Sequence, residues 1–160
     1  MSYRIGFGID FHQLADGREL WIGGVKLAHH KGAVGHSDAD VLLHAMCDAL
    51  LGAACLGDIG VHFPNTSSEF ENIDSKILLK RTFELVREKY KVINIDSTIC
   101  LEEPKVQSYI PEMQRVVSTI VDISVHDISI KATTTEKMGF IGRGEGVAAY
   151  AVVLLEIANR

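Results

Sequence analysis

Bulky apolar residues alternate strictly with small and polar ones from Tyr3 to His12. Tyr3, Ile5, Phe7, Ile9 and Phe11 fall on one side; Arg4, Gly6, Gly8, Asp10 and His12 fall on the other, the period of a β-strand. The bulky row is expected to face the core. Asp16-Gly17 marks a turn, and Glu19 to Leu27 reads as a second strand, a hairpin partner of the first. After a loop from His29 to Gly35 the period lengthens. In His36 to Gly60, HSDADVLLHAMCDALLGAACLGDIG, residues Val41, Leu42, Ala45, Met46, Ala49, Leu50 and Ala53 recur at helical spacing. Ser37, placed ahead of Asp40, reads as a capping-box start and Gly57 as the stop.

His62 to Asp74 reads as a polar surface loop and Ser75 to Lys89 as an amphipathic helix, with Ile77, Leu78, Phe83, Leu85 and Val86 on its apolar side. Ile93, Ile95, Ser97 and Ile99 form one face of a third strand. Pro111 suits the first position of another helix, which carries a stripe of Met113, Val116, Val117 and Ile120. Val125 to Lys131 is strand, followed by the glycine-rich TTTEKMGFIGRGEG and a last strand from Val147 to Ile157. The order implies an α+β fold, a mixed sheet with helices packed on one face. The last strand is apolar on both sides: Ala149, Ala151, Val153 and Leu155 alternate with Ala148, Tyr150, Val152 and Leu154. Such a strand is buried on both faces. No helix is left to cover the second face, so the expected cover is another copy of the chain.

Composition narrows the classes. A chain of 160 residues, 47% hydrophobic and 23% charged, reads as one globular domain over 1–160, burying roughly 70% of its unfolded surface. The net charge of −5 argues against nucleic acid as a partner. Cys47, Cys55 and Cys100 show no metal or redox spacing, as expected of reduced thiols in a cytoplasmic protein. Neither a signal-peptide core nor a membrane-length apolar run appears, so no membrane partner is expected.

Asp10 and His12 point the same way from their strand. Asp40, His44 and Asp48 share one helix face. Buried, such groups need partners or an ion, although the same spacing also describes a solvated stripe. Asp10, His12 and His44 together offer two imidazoles and a carboxylate, a set suited to Zn²⁺ with an open fourth position. Asp48 or Asp40 is available to orient His44. Downstream, Lys131, Thr133, Thr134, Thr135, Glu136 and Lys137 could present hydroxyls and charge to an anion, with Glu136 sharing Mg²⁺ with a polyphosphate. Threonines are also ordinary strand residues. Gly139, Gly142, Gly144 and Gly146 match neither GxGxxG nor a P-loop and read as turns. His29, His30, His62 and His126 read as surface histidines, whereas His36 abuts a helix N-terminus, where an anion is favoured.

The blocks GFGIDFH, IGGVKL, GHSDADVLLHAMCDALLGAACLGDIG, FPNT, EEPKVQSYIPEM and IKATTTEKMGFIGRGEG follow one another over nearly the whole chain. Together they closely resemble the 2-C-methyl-D-erythritol 2,4-cyclodiphosphate synthase family of the non-mevalonate isoprenoid pathway. The resemblance implies a homotrimer, with active sites between adjacent subunits and sheets facing an axial apolar cavity that has room for an isoprenoid. It implies one Zn²⁺ per chain on Asp10, His12 and His44, and Mg²⁺ or Mn²⁺ held by Glu136 on the substrate diphosphate. His36, Ser37 and Thr134 would hold the phosphates in the transition state, with Thr133 and Thr135 beside them. Asp58, Ile59 and Gly60 would meet the ribose. Phe63, Pro64, Asn65, Thr66 and Ser67 would border the methylerythritol end. From the neighbouring subunit, Leu101, Glu102, Glu103, Pro104, Lys105, Val106 and Gln107 would cradle the cytosine. Phe140 and Arg143 would lie nearby, and Arg143 with Glu145 would gate the axial cavity. Two departures stand out: Asn65 replaces the usual Asp, and Leu101 a usual small residue, both bearing on affinity rather than reaction type. The implied reaction is attack of the substrate's 2-phosphate on its β-phosphorus, releasing CMP. Two other readings use the same residues: a zinc-dependent phosphatase or nucleotide pyrophosphohydrolase, and a non-catalytic zinc-binding trimeric module. Structural zinc normally takes four protein ligands, which speaks against the last.

Overall fold

The two longest alternating segments pair with each other. In the computed structural model, which describes residues 2–158, β1 (Tyr3–Asp16) runs antiparallel to β7 (Gly146–Ile157). Ile5 lies opposite Leu154, Phe7 opposite Val152 and Ile9 opposite Tyr150. On its other edge β7 pairs antiparallel with β5 (Tyr90–Cys100), and β6 (Ile128–Thr133) adds parallel to β5. The short β4 (Lys31–Ala33) pairs with the far end of β1, giving a mixed sheet ordered β4-β1-β7-β5-β6. A parallel neighbour needs a crossover connection, and α4 (Ile110–Val121) supplies it between β5 and β6. The expected mixed α+β architecture is therefore present.

Helix α1 (Val41–Ala53) lies across β1 and β7, and α3 (Ser75–Arg87) packs on α1 and contacts α4. The alternation of β1 is as expected, but its polarity is reversed. The row of Gly6 and Gly8 faces the helix, while Ile5 is 73% and Phe7 59% exposed in the single chain. Bulk is the reason. A Cβ on Gly6 would stand 1.8 Å from the Ala49 carbonyl oxygen, and one on Gly8 1.9 Å from that of Ala45. Only backbone without side chains lets α1 approach this closely, and α1 answers with its own small Ala45, Ala49 and Ala53. Gly8→Ala is accordingly expected to destabilise the fold by about 3 kcal/mol or more, at the upper end for overpacking. Denaturant unfolding measures this, and a loss below about 1 kcal/mol would show that the helix can yield.

Other boundaries move for identifiable reasons. Glu19 to Leu27 is not a partner of β1: β2 (Leu20–Ile22) and β3 (Val25–Leu27) form their own hairpin through Gly23 and Gly24, both at positive φ. The neighbour of β1 is instead β4, within the stretch expected to be loop. Ser37 does not cap α1. Asp40 does, accepting the Leu43 N–H, and the helix ends at Ala53, ahead of Gly57. In β5 a bulge between Val92 and Asn94 brings Val92 onto the buried face with Ile95, Ser97 and Ile99, leaving Ile93 half-buried. Helix α3 forms over nearly its expected span, but Ile77 and Leu85 are exposed, and Leu79 and Thr82 join the core instead. Among the described residues no helix is long and apolar enough to cross a membrane.

Candidate active site

Asp10 and His12 leave the same face of β1 and meet His44 from the first turn of α1. Asp10 Oδ2 lies 2.9 Å from His12 Nε2 and 3.1 Å from His44 Nδ1, and the two nitrogens are 3.2 Å apart. A tetrahedral ion with bonds of about 2.0–2.1 Å separates its ligand atoms by about 3.3 Å. The three atoms therefore form one face of such a tetrahedron.

The proton inventory supports a cation there. His12 Nδ1 lies 2.9 Å from the Val34 carbonyl oxygen, which can only accept, so Nδ1 carries the proton and the neutral ring aims the Nε2 lone pair at Asp10. His44 Nε2 lies 2.9 Å from Ser75 Oγ, whose hydroxyl donates in turn to Asp38. Ser75 thus accepts from His44, and the Nδ1 lone pair also faces Asp10. Two lone pairs and a carboxylate pointing at one another repel unless a cation or a proton lies between. The same groups shift one another's acidity. Burial acts to raise the Asp10 pKa, but the hydrogen bonds and charges of His12 and His44 outweigh it and bring it to about 2. Burial likewise opposes charging His12, yet the Asp10 hydrogen bond and charge, with the Val34 carbonyl, raise its pKa.

The triad opens on a cavity of about 330 Å³ whose wall includes His36, Ser37, Ile59, Gly60, Phe63 and Asn65. Phe70, Ile73 and Leu78 complete an apolar end that the sequence reading did not assign. Asp58 caps the short α2 (Ile59–His62) by accepting the Val61 N–H, and Asp48 accepts the Ile59 N–H at 2.7 Å. Pro64, Thr66 and Ser67 lie on the adjoining loop outside the lining. His36 does not abut a helix N-terminus, because the cap is Asp40.

A second cavity of about 420 Å³ lies at the C-terminal ends of β5 and β6, between Leu101, Pro104, Lys105 and Gln107 on one wall and Lys131 and Thr134 on the other. Glu102 and Val106 also line it, and Glu103 faces an adjoining cleft with Lys31, Lys137 and Arg143. Thr135 N–H donates to Glu102 at 3.4 Å. Thr133 and Glu136 are exposed beside it, Glu136 with φ of 51°. Phe140, on α5 (Gly139–Gly142), lies against Phe11 on the outer side of the sheet, and Arg143 makes a two-pronged ion pair with Glu145 at 2.9 and 3.0 Å. The expected site residues thus fall into two groups, in separate cavities of one chain.

Neither Asp40 nor Asp48 orients His44. Asp40 is fully buried and accepts from the N–H groups of Gly23, Gly24 and Leu43, tying the β2–β3 hairpin to α1. Burial, with Asp38 nearby, pushes its pKa up against those donors. The group at His44 is Ser75, the first residue of α3, whose Asp-Ser sequence signals only a helix start. Ser37 also reaches His44 Nε2, at 3.1 Å.

Comparison with known proteins bears on the family and the fold. The YgbB family matches residues 3–156. A 2-C-methyl-D-erythritol 2,4-cyclodiphosphate synthase of Bacteroides thetaiotaomicron is 62% identical over 157 residues, 98% of this chain and 99% of its own. Among solved structures, the bifunctional IspDF of Campylobacter jejuni superposes with a TM-score of 0.95 at 40% identity; 99% of this chain is covered, and 43% of that one. The Plasmodium falciparum IspF–CDP complex superposes with a TM-score of 0.86 at 31% identity, over 99% of this chain and 98% of that one.

Proposed function

The chain belongs to the YgbB family, and from that premise we propose that it is a 2-C-methyl-D-erythritol 2,4-cyclodiphosphate synthase, a cytoplasmic lyase of the non-mevalonate isoprenoid pathway folded as one domain. It converts 4-diphosphocytidyl-2-C-methyl-D-erythritol 2-phosphate to the 2,4-cyclodiphosphate and CMP. The observation that carries the reading is the Asp10–His12–His44 face, opening on a cavity that also holds His36 and Ser37.

The nucleophile is the substrate's own 2-phosphate, already anionic near neutral pH because its second pKa is about 6. No general base is needed, so the residues have to position and neutralise. Ser37 Oγ accepts the Ala39 N–H at 3.1 Å, which leaves its own hydroxyl proton free to donate to a phosphoryl oxygen in the cavity. His36 and Thr134 add donors to the same phosphates, and Thr133 and Thr135 flank them. Phe63 and Asn65 border the methylerythritol end, while Asp58, Ile59 and Gly60 meet the ribose. Leu101 to Gln107, with Lys105, enclose the cytosine, a role that accords with CDP in the Plasmodium falciparum relative. Two imidazoles and a carboxylate fit Zn²⁺ with an open position, and Glu136 fits Mg²⁺ or Mn²⁺ shared with a diphosphate; when bound, these cations supply Lewis-acid neutralisation of the phosphoryl charge.

The two groups of residues lie in separate cavities, so a complete site requires the second cavity of a neighbouring copy. The exposed row of Ile5, Phe7, Ile9 and Phe11, continued across β7 by Tyr150, Val152 and Leu154, supplies a face for that assembly, a homotrimer about an axial cavity. Phe140 and the Arg143–Glu145 pair would sit at that axis, where an isoprenoid would fit. Val152→Glu or Leu154→Glu would place a charge in the apolar interface and is expected to dissociate the trimer. Sedimentation of both variants as trimers would refute this use of the face.

Incubation with the substrate followed by product analysis tests the function. Cyclic diphosphate and CMP in equal amounts are expected. Inorganic phosphate or linear products would instead assign a zinc-dependent hydrolase, and no turnover by metal-bound protein a non-catalytic module.

A further inference from the structure

Resting on the reading of Asp10, His12 and His44 as metal ligands, we propose that Asp38 and Ser75 are positioning residues that lock His44 in the tautomer able to bind the ion. An imidazole ligating through Nδ1 must carry its proton on Nε2. Two hydroxyls reach that nitrogen, and they differ in what they can offer. Ser37 Oγ accepts the Ala39 N–H, but among the described residues no other acceptor holds its own proton, so alone it could serve either tautomer. Ser75 could not. Its hydroxyl proton is committed to Asp38 Oδ1, leaving only lone pairs for His44 Nε2 at 2.9 Å. Ser75 is fully buried, so no bulk water competes for that contact.

Asp38 is itself held in place. Its Oδ2 accepts the Ser75 N–H at 3.0 Å, and its Oδ1 also accepts the Asp40 N–H at 3.2 Å. Between the two aspartates, Ala39 is buried and adopts φ of 55°, a left-handed conformation that non-glycine residues seldom take. The bend sends neighbouring carboxylates to different tasks. Asp40 binds the β2–β3 turn and the first turn of α1, whereas Asp38 reaches the start of α3. That helix is already capped by Asp74, which accepts the Lys76 N–H, so the Ser75 hydroxyl is not needed as its cap. All three contacts to Asp38 come from donors. An Asn there would turn an amide NH₂ toward at least one of them and could reverse the Ser75 hydroxyl, making it donate to His44 and favouring the wrong tautomer.

The test is Co²⁺ titration of metal-free protein, read by the visible absorption of the bound ion. Ser75→Ala and Asp38→Asn are expected to weaken Co²⁺ binding about 10- to 100-fold, as for loss of a ligand-orienting partner. Ser75→Thr, which keeps the hydroxyl, is expected to restore it. Far-UV circular dichroism of the metal-free variants reports folding separately. Wild-type affinity in folded Ser75→Ala would overturn the proposal, as would a loss that Ser75→Thr does not restore, since that assigns Ser75 to packing alone. If Ser75→Ala fails to fold, long-range ¹H–¹⁵N spectra of metal-free wild type decide: neutral His44 with its proton on Nε2 supports the proposal and one with its proton on Nδ1 overturns it. Failure of the underlying reading looks different, because wild type itself would then show no Co²⁺ absorption that His12→Ala removes.

Discussion

His12→Ala is expected to leave purified protein nearly free of zinc and to lower turnover by at least about 10³-fold, the scale on which loss of charge neutralisation acts in phosphoryl transfer. The geometry explains why one ligand matters so much. With His12 Nε2 gone, an ion would keep only Asp10 and His44, whose ligating atoms stand 3.1 Å apart, and two ligands hold zinc poorly. The fold should survive, because the lost contacts are those of one ring to Asp10, His44 and the Val34 carbonyl. Elemental analysis alongside circular dichroism checks both statements. Full zinc content in a folded variant would sink the ligand assignment, and so would undiminished turnover in zinc-free protein.

Glu136→Gln should behave differently, and the contrast separates two cations. Glu136 lies away from the triad's cavity, on an exposed turn where its Oε1 is 3.4 Å from Thr134 Oγ1. The change removes a charge without changing shape, so the variant should fold and retain zinc. Turnover should fall by about 10²–10³-fold, the range seen when one electrostatic partner of the transition state is removed. Part of that loss should return at high Mg²⁺, as mass action refills a weakened site. His12→Ala should not recover, because Mg²⁺ prefers octahedral oxygen ligands and substitutes poorly at a nitrogen-rich tetrahedral site. Turnover measured against Mg²⁺ concentration for both variants decides the matter. Identical, unrescued curves would mean that the two residues do not serve separate ions.

Local periodicity made much of this molecule legible from its sequence. Alternation marked β1, β5 and β7, and helical spacing marked α1, α3 and α4, because these repeats follow from backbone geometry within a single element. Asp10 and His12 could be paired for the same reason: residues two apart on a strand share a face wherever the strand lies. The resemblance carried by the longer blocks pointed to the family that the comparisons then showed, whereas the outer side of the doubly apolar β7 is open in the single chain, with Val152 exposed.

What the sequence could not decide were choices between distant partners. Alternation in β1 defines two faces but not which one the helix covers, and here volume outweighed hydrophobicity: α1 seats on Gly6 and Gly8 because only there can its backbone reach the sheet. Asp40 looked like a companion to His44 because both lie on one helix, yet its carboxylate is claimed by the N–H groups of Gly23 and Gly24, which only tertiary folding brings near. Ser75 reaches His44 directly from a separate helix, its hydroxyl proton held by Asp38, which is followed by a left-handed alanine. Sequence spacing thus determined which side chains could act together within an element. Packing between elements decided which of them do, because close approach, desolvation and the available protons are properties of neighbours that the chain brings together only when folded.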